Sequence, residues 1–98
     1  MAEFTREEVE AKVKAGESLA KTDLSELNLE GANLTGADLN GANLRAAELH
    51  NTDLGGANLE GAKLSRADLT DADLTDANLS DTTLSYADLS YADLTNTD

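Results

Sequence analysis

The run Ala32-Asn33-Leu34-Thr35-Gly36-Ala37-Asp38-Leu39-Asn40-Gly41 shows two rounds of the rule that governs most of this chain, a leucine at every fifth residue. From Leu19 to Leu94 the leucine recurs sixteen times without a slip. A five-residue period suits neither regular element. An α-helix would rotate successive leucines by about 500° and smear them around its axis, and a flat strand would alternate them between faces. The leucines share one interior only if the chain turns a corner once per repeat, and four corners close a square coil of about twenty residues.

The other columns agree with that path. Two residues before the leucine stands Ala, as in Ala32, Ala57 and Ala77, with Thr22, Thr52 and Thr82 as substitutes. Extended residues two apart point the same way, so this small residue also faces inward. The residue between them, such as Asp38, Asn43 or Asp73, points out. The two residues after the leucine make the corner. In the second of these, ten of sixteen are Gly, Asn or Asp, including Gly31, Gly36, Gly41, Gly56 and Gly61, the types that accept the positive φ of a type II turn. Lys21, Glu26, Ala46, Arg66, Tyr86 and Tyr91 are not of these types, so a different turn is expected there.

Runs such as Ala32-Asn33-Leu34-Thr35-Gly36 and Ala67-Asp68-Leu69-Thr70-Asp71 resemble the pentapeptide-repeat family, whose pattern is Ala, then Asp or Asn, then Leu, then two free positions. The resemblance implies an all-β solenoid, a right-handed quadrilateral β-helix of about four coils. It also implies, as an alternative to a plain scaffold, a DNA mimic that binds a type II topoisomerase such as DNA gyrase. Some relatives of that kind mix Phe into the central position, where this chain has Leu throughout.

Residues 1–17 follow a different grammar and read as a capping helix ahead of a β-helix over 18–98. Thr5 followed by Glu8 is a capping box, Phe4 can staple onto Val9, and Gly16 sits where a helix ends, which predicts a helix from Arg6 to Ala15. Ten or so residues make only a marginal helix alone, so it needs a surface. The open top of the first coil supplies one, with Leu27 expected to fill space beneath the helix.

The 98 residues carry a net charge of −13, which argues against direct binding to nucleic acid phosphates. There is no Cys and no Pro. Near the start no apolar run suggests a signal peptide, and no stretch approaches membrane-spanning length, so a cytoplasmic location is the expectation. Sorting repeats by wall makes the charge informative. The wall of Leu29, Leu49, Leu69 and Leu89 carries Glu30, Glu48, Asp68, Asp71 and Asp88; the next, of Leu34, Leu54, Leu74 and Leu94, carries Asp53, Asp73, Asp76 and Asp93. Arg45, Lys63 and Arg66 collect on the wall of Leu24, Leu44, Leu64 and Leu84. The two acidic walls are read as a solvated face that also offers a candidate surface for a basic protein partner.

Catalysis is not expected, since the carboxylates lie on a convex rod and no nucleophile and base are paired. The lone His50 reads as a surface side chain beside Glu48. Asp71-Ala72-Asp73 with Asp76 lacks the turn Gly and terminal Glu of a calcium loop, and no cofactor or metal is expected. After Leu94 only Thr95, Asn96, Thr97 and Asp98 remain, which leads to a final expectation. Leu79, Leu84, Leu89 and Leu94, with Tyr86 and Tyr91, would form an uncovered end through which two chains pair end to end as a homodimer.

Overall fold

The computed structural model describes residues 2–98. One helix, α1 (Arg6–Lys14), precedes a stack of square coils. Thr5 caps α1: its hydroxyl accepts the Glu8 N–H at 3.2 Å, and the Glu8 carboxylate accepts the Thr5 N–H at 2.9 Å. The helix stops one residue short of the expected Ala15, which is its C-cap. Val9 is fully buried against the leucines, with Phe4, Val13 and Leu27 packed at the margin.

From Asp23 onward the outward residues pair in parallel with those twenty positions later, as in Asp23 with Asn43, Asn43 with Lys63 and Lys63 with Thr83. These pairings are isolated bridges and not continuous strands, because the corners leave too few extended residues on a wall for a longer ladder. Inside the square, every leucine of the five-residue column from Leu19 to Leu74 is fully buried. Thr52, in the alanine column, is buried as well, and its hydroxyl donates to the Leu29 carbonyl of the coil above at 2.7 Å.

Each pentapeptide assigns its backbone groups in a fixed way. In the repeat around Leu44, the Leu44 and Ala46 N–H groups donate down to Lys63 and Ser65, and the Asn43 N–H donates up to Thr22. The Ala47 N–H closes the turn on the Leu44 carbonyl at 3.0 Å. The remaining N–H, that of Arg45, finds the Asn43 side-chain oxygen at 3.1 Å. No amide of the repeat is left without a partner, which is the condition for a backbone wound this tightly.

All sixteen corners use the same turn, with φ between 57° and 70°. Gly31, Gly36, Gly41, Gly56 and Gly61 behave as expected, but Lys21, Glu26, Ala46, Arg66, Tyr86 and Tyr91 do too, which corrects the expectation of a second turn type. The cause is the central peptide of the corner, which stands along the stack axis. At Arg45–Ala46 its carbonyl accepts the Glu26 N–H from above at 2.9 Å and its N–H donates to Ser65 below at 2.9 Å. A type I turn would flip that peptide and forfeit both bonds, each worth about 1 kcal/mol net. The left-handed conformation of a non-glycine residue costs about 1–2 kcal/mol, so the ladder prevails over local preference.

This balance makes Ala46 and Glu26 sites of stored strain. Ala46→Gly and Glu26→Gly should each stabilise the fold by about 1 kcal/mol, after allowing for the greater freedom of unfolded glycine. Gly36→Ala should cost a similar amount although a Cβ there meets nothing within 4 Å. Urea titration of the three variants measures both signs.

Candidate functional site

The stacking places the candidate carboxylates on two adjacent walls. On one, Glu48, Asp68 and Asp88 succeed each other through paired bridges; on the next, Asp53, Asp73 and Asp93 do the same beneath Asn33. Asp71 and Asp76 occupy exposed corners of these walls, and Glu30 lies exposed above. No Lys or Arg lies on either wall. Across the molecule, the Arg66 guanidinium sits over the Tyr86 ring at 5.7 Å, on the wall that also holds Arg45 and Lys63.

Most of these carboxylates also serve the backbone. Asp53, Asp73 and Asp93 each use Oδ1 to accept the N–H two residues on, from Gly55, Thr75 and Thr95, at 3.0, 2.9 and 3.0 Å. Asp68 and Asp88 accept the N–H of Thr70 and Ser90 in the same way, at 3.0 and 2.9 Å. The other carboxylate oxygen of each side chain accepts none of these backbone bonds. Asn serves the same backbone need, as Asn33 does for Thr35 at 3.1 Å, so carboxylates at these places add charge beyond what the fold requires. Glu48 is the exception among the outward acids: its longer side chain makes no such bond.

The carboxyls of Asp68, Asp88 and Asp93 are held below the usual carboxylate range, first by the hydroxyls of Thr70, Ser90 and Thr95 and then by the backbone N–H groups of the same residues. On the wall of Leu49, His50 is half-buried, its Nδ1 3.1 Å from the Thr70 carbonyl and its Nε2 3.1 Å from the Asn51 amide. A carbonyl only accepts, so Nδ1 carries the proton and Nε2 is the acceptor. The imidazole is therefore tied into the stack rather than free at the surface. The bond to the coil below could have been anticipated only from the stacking of His50 over Thr70. Among the described residues no group of three or more His, Asp or Glu is placed to hold a metal ion.

The candidate end residues lie together in the last coil. Leu79, Leu84 and Leu89 are partly buried, Leu94 is 42% exposed, and Tyr86 and Tyr91 are 86% and 88% exposed.

The family model for pentapeptide repeats matches residues 22–61 and 62–98, in eight copies. The chain belongs to the pentapeptide-repeat family. Solved members resemble it over most of its length. A pentapeptide repeat protein from the Arabidopsis thaliana thylakoid lumen superposes with a TM-score of 0.66 at 25% identity, covering 97% of this chain and 66% of that one. One from the cyanobacterium Cyanothece 51142 gives 0.59 at 38% identity, covering 83% and 56%. A third, from Nostoc PCC 7120, gives 0.50 at 36% identity, covering 90% and 74%. The chain thus spans less than two thirds of the length of the first two. No curated protein matches it. No helix among the described residues is long and apolar enough to cross a membrane.

A carboxyl whose folded pKa is depressed stabilises the fold above its unfolded value near 4, and that contribution is lost as pH falls through the lowered folded value. Melting temperature should therefore drop on acidification below about pH 4. In Asp88→Asn/Asp93→Asn the backbone acceptors remain and the titration does not, so the drop should be shallower. Asp73→Ala, which removes the acceptor as well, should cost about 1 kcal/mol at neutral pH against little for Asp73→Asn.

Proposed function

We propose that this chain is a non-catalytic scaffold, a right-handed quadrilateral β-helix whose two acidic walls dock a basic protein partner, with the cytoplasm as its expected setting. The observation that carries the reading is the placement of acids where the fold does not require them. Asn at the outward position would bond the backbone equally well, yet Asp53, Asp73 and Asp93 stand in file on one wall, and Asp68 and Asp88 on the next. Neighbouring coils lie about 4.8 Å apart, so two such charges repel by roughly 0.9 kcal/mol even at the dielectric of water. A cationic partner relieves that repulsion and gains rate by electrostatic steering.

Imitation of a DNA duplex at a type II topoisomerase is the competing reading, and charge spacing weakens it. One strand of duplex DNA carries a charge about every 3.4 Å, whereas a single file here carries one about every 4.8 Å. The molecule extends only 27 × 23 × 23 Å, which limits the length of any phosphate-like track.

Affinity capture with the intact chain and with Asp73→Lys/Asp93→Lys separates the possibilities. The expected result is a partner retained by the intact chain, released as ionic strength rises, and reduced at least about tenfold by the double reversal. Capture indifferent to the reversal would refute the acidic walls as the docking surface. Inhibition of gyrase supercoiling by the intact chain would transfer the function to the competing reading.

A further inference from the structure

Opposite walls of the square carry opposite charge. On the wall of Leu24 the outward file runs Asp23, Asn43, Lys63 and Thr83, with Arg45 and Arg66 beside it. Two walls on, the file of the Leu34 wall runs Asn33, Asp53, Asp73 and Asp93. Arg45, Lys63 and Arg66 are exposed, and among the described residues none of them makes an ion pair, although the chain has 20 acids. The ion pairs among those residues, Arg6–Glu10 and Lys12–Glu17, belong to α1 and the chain leaving it.

A cationic wall and an anionic wall, back to back on one molecule, fit a second copy displaced sideways with its axis parallel. The coil levels then coincide. The chain runs along opposite walls in opposite senses, so the corner that ends one wall meets the corner that begins the other. In this register Lys63 faces Asp73, Arg66 faces Asp71, and Asn43, with Arg45 next to it, faces Asp53. The acids of the cationic wall fall where the other wall has none: Asp23 meets Asn33, Glu26 meets Gly31 and Asp81 meets Asn96.

Other placements lose this match. Sliding the copy by one coil, about 4.8 Å, sets Asp23 against Asp53 in one direction and Asp81 against Asp76 in the other. Offering the Leu29 wall in place of the Leu34 wall brings the same corner column together from both copies, so that Arg66 meets Arg66 and Glu26 meets Glu26. Like charges placed in this way suppress the wrong arrangements and leave one favoured.

We propose that a second copy of this chain docks its Leu34 wall against the Leu24 wall, side by side and in coil register. This rests on the reading of the acidic walls as docking surfaces and names the chain itself as a partner. A docked pair keeps one wall of each charge free, so the contact does not close and copies add in a row across the stack axis. The net charge of −13 opposes association, but that repulsion acts between centres about 23 Å apart, beyond the Debye length of about 10 Å at 0.1 M salt, while the facing pairs lie within it.

Light scattering on the full chain at about 0.1 M salt, between about 10 µM and about 1 mM protein, tests this through a charge exchange. The apparent mass of the intact chain should rise at least about twofold above 10.3 kDa. Lys63→Glu/Arg66→Glu and Asp71→Lys/Asp73→Lys should each stay at 10.3 kDa, because their facing walls then share one sign. Mixed in equal amounts the two variants should recover the rise, since both junctions between them pair opposite charges. Glu26, Glu48, Lys21 and Lys63 already occupy equivalent places in other repeats, so the coils accommodate these exchanges, and circular dichroism checks that they do. Should Asp71→Lys/Asp73→Lys not fold, Arg66→Glu mixed with Asp71→Lys poses the same exchange at one facing pair. An intact chain that stays at 10.3 kDa, or a mixture that fails to recover the rise, overturns the proposal. If such a chain still captures a basic protein that Asp73→Lys/Asp93→Lys releases, the acidic walls keep their role and only the second copy is removed as their partner.

Discussion

The structure depends on one peptide plane per repeat standing along the stack. In that orientation its carbonyl meets the coil above and its N–H the coil below, as Arg45–Ala46 does between Glu26 and Ser65. Everything else adapts to it. Corner residues accept a left-handed backbone whatever their side chain, and the leucine before each corner is aimed inward. The outward residue is left to supply the acceptor for the one amide that neither the turn nor the ladder reaches.

That dependence explains which parts of the fold were legible in the sequence. The leucine column is a burial pattern, and burial is dictated residue by residue, so Leu19 through Leu74 could be placed without coordinates. The lid was legible because Thr5, Glu8 and Gly16 carry local chemistry that acts within one helical turn. Tyr86 and Tyr91 were misread because their conformation is set at a distance. Taken alone, a tyrosine avoids positive φ, and only the hydrogen bonds made to Ser85 and Ser90 from the coil above overrule it. A rule stated by residue type fails where neighbours twenty positions away decide.

The candidate site divides along the same line. Which acids share a wall followed from counting repeats, and the bridges place Asp53, Asp73 and Asp93 together as the count requires. The double duty of each carboxylate was less visible. One oxygen of Asp93 is committed to Thr95, and that bond fixes the side chain's direction. A wall of anchored carboxylates is more ordered than a fringe of freely rotating ones, so a partner would lose less rotamer entropy in meeting it. Glu48, without that anchor, lacks this pre-ordering.

The unequal numbers of N–H groups donating down and up the stack have an electrical consequence. In each repeat two peptide dipoles point along the stack in one sense and one in the other, leaving one uncancelled unit of about 3.5 D. Four such units abreast, repeated at a coil spacing of about 4.8 Å, amount to roughly half an elementary charge at each end, comparable to an α-helix and unlike an ordinary sheet, whose strand dipoles largely cancel. The positive pole lies at the last coil, beside Tyr86 and Tyr91. A molecule with a net charge of −13 thus also carries a backbone dipole beneath its acids, and the stack has an electrical direction that composition alone would never suggest.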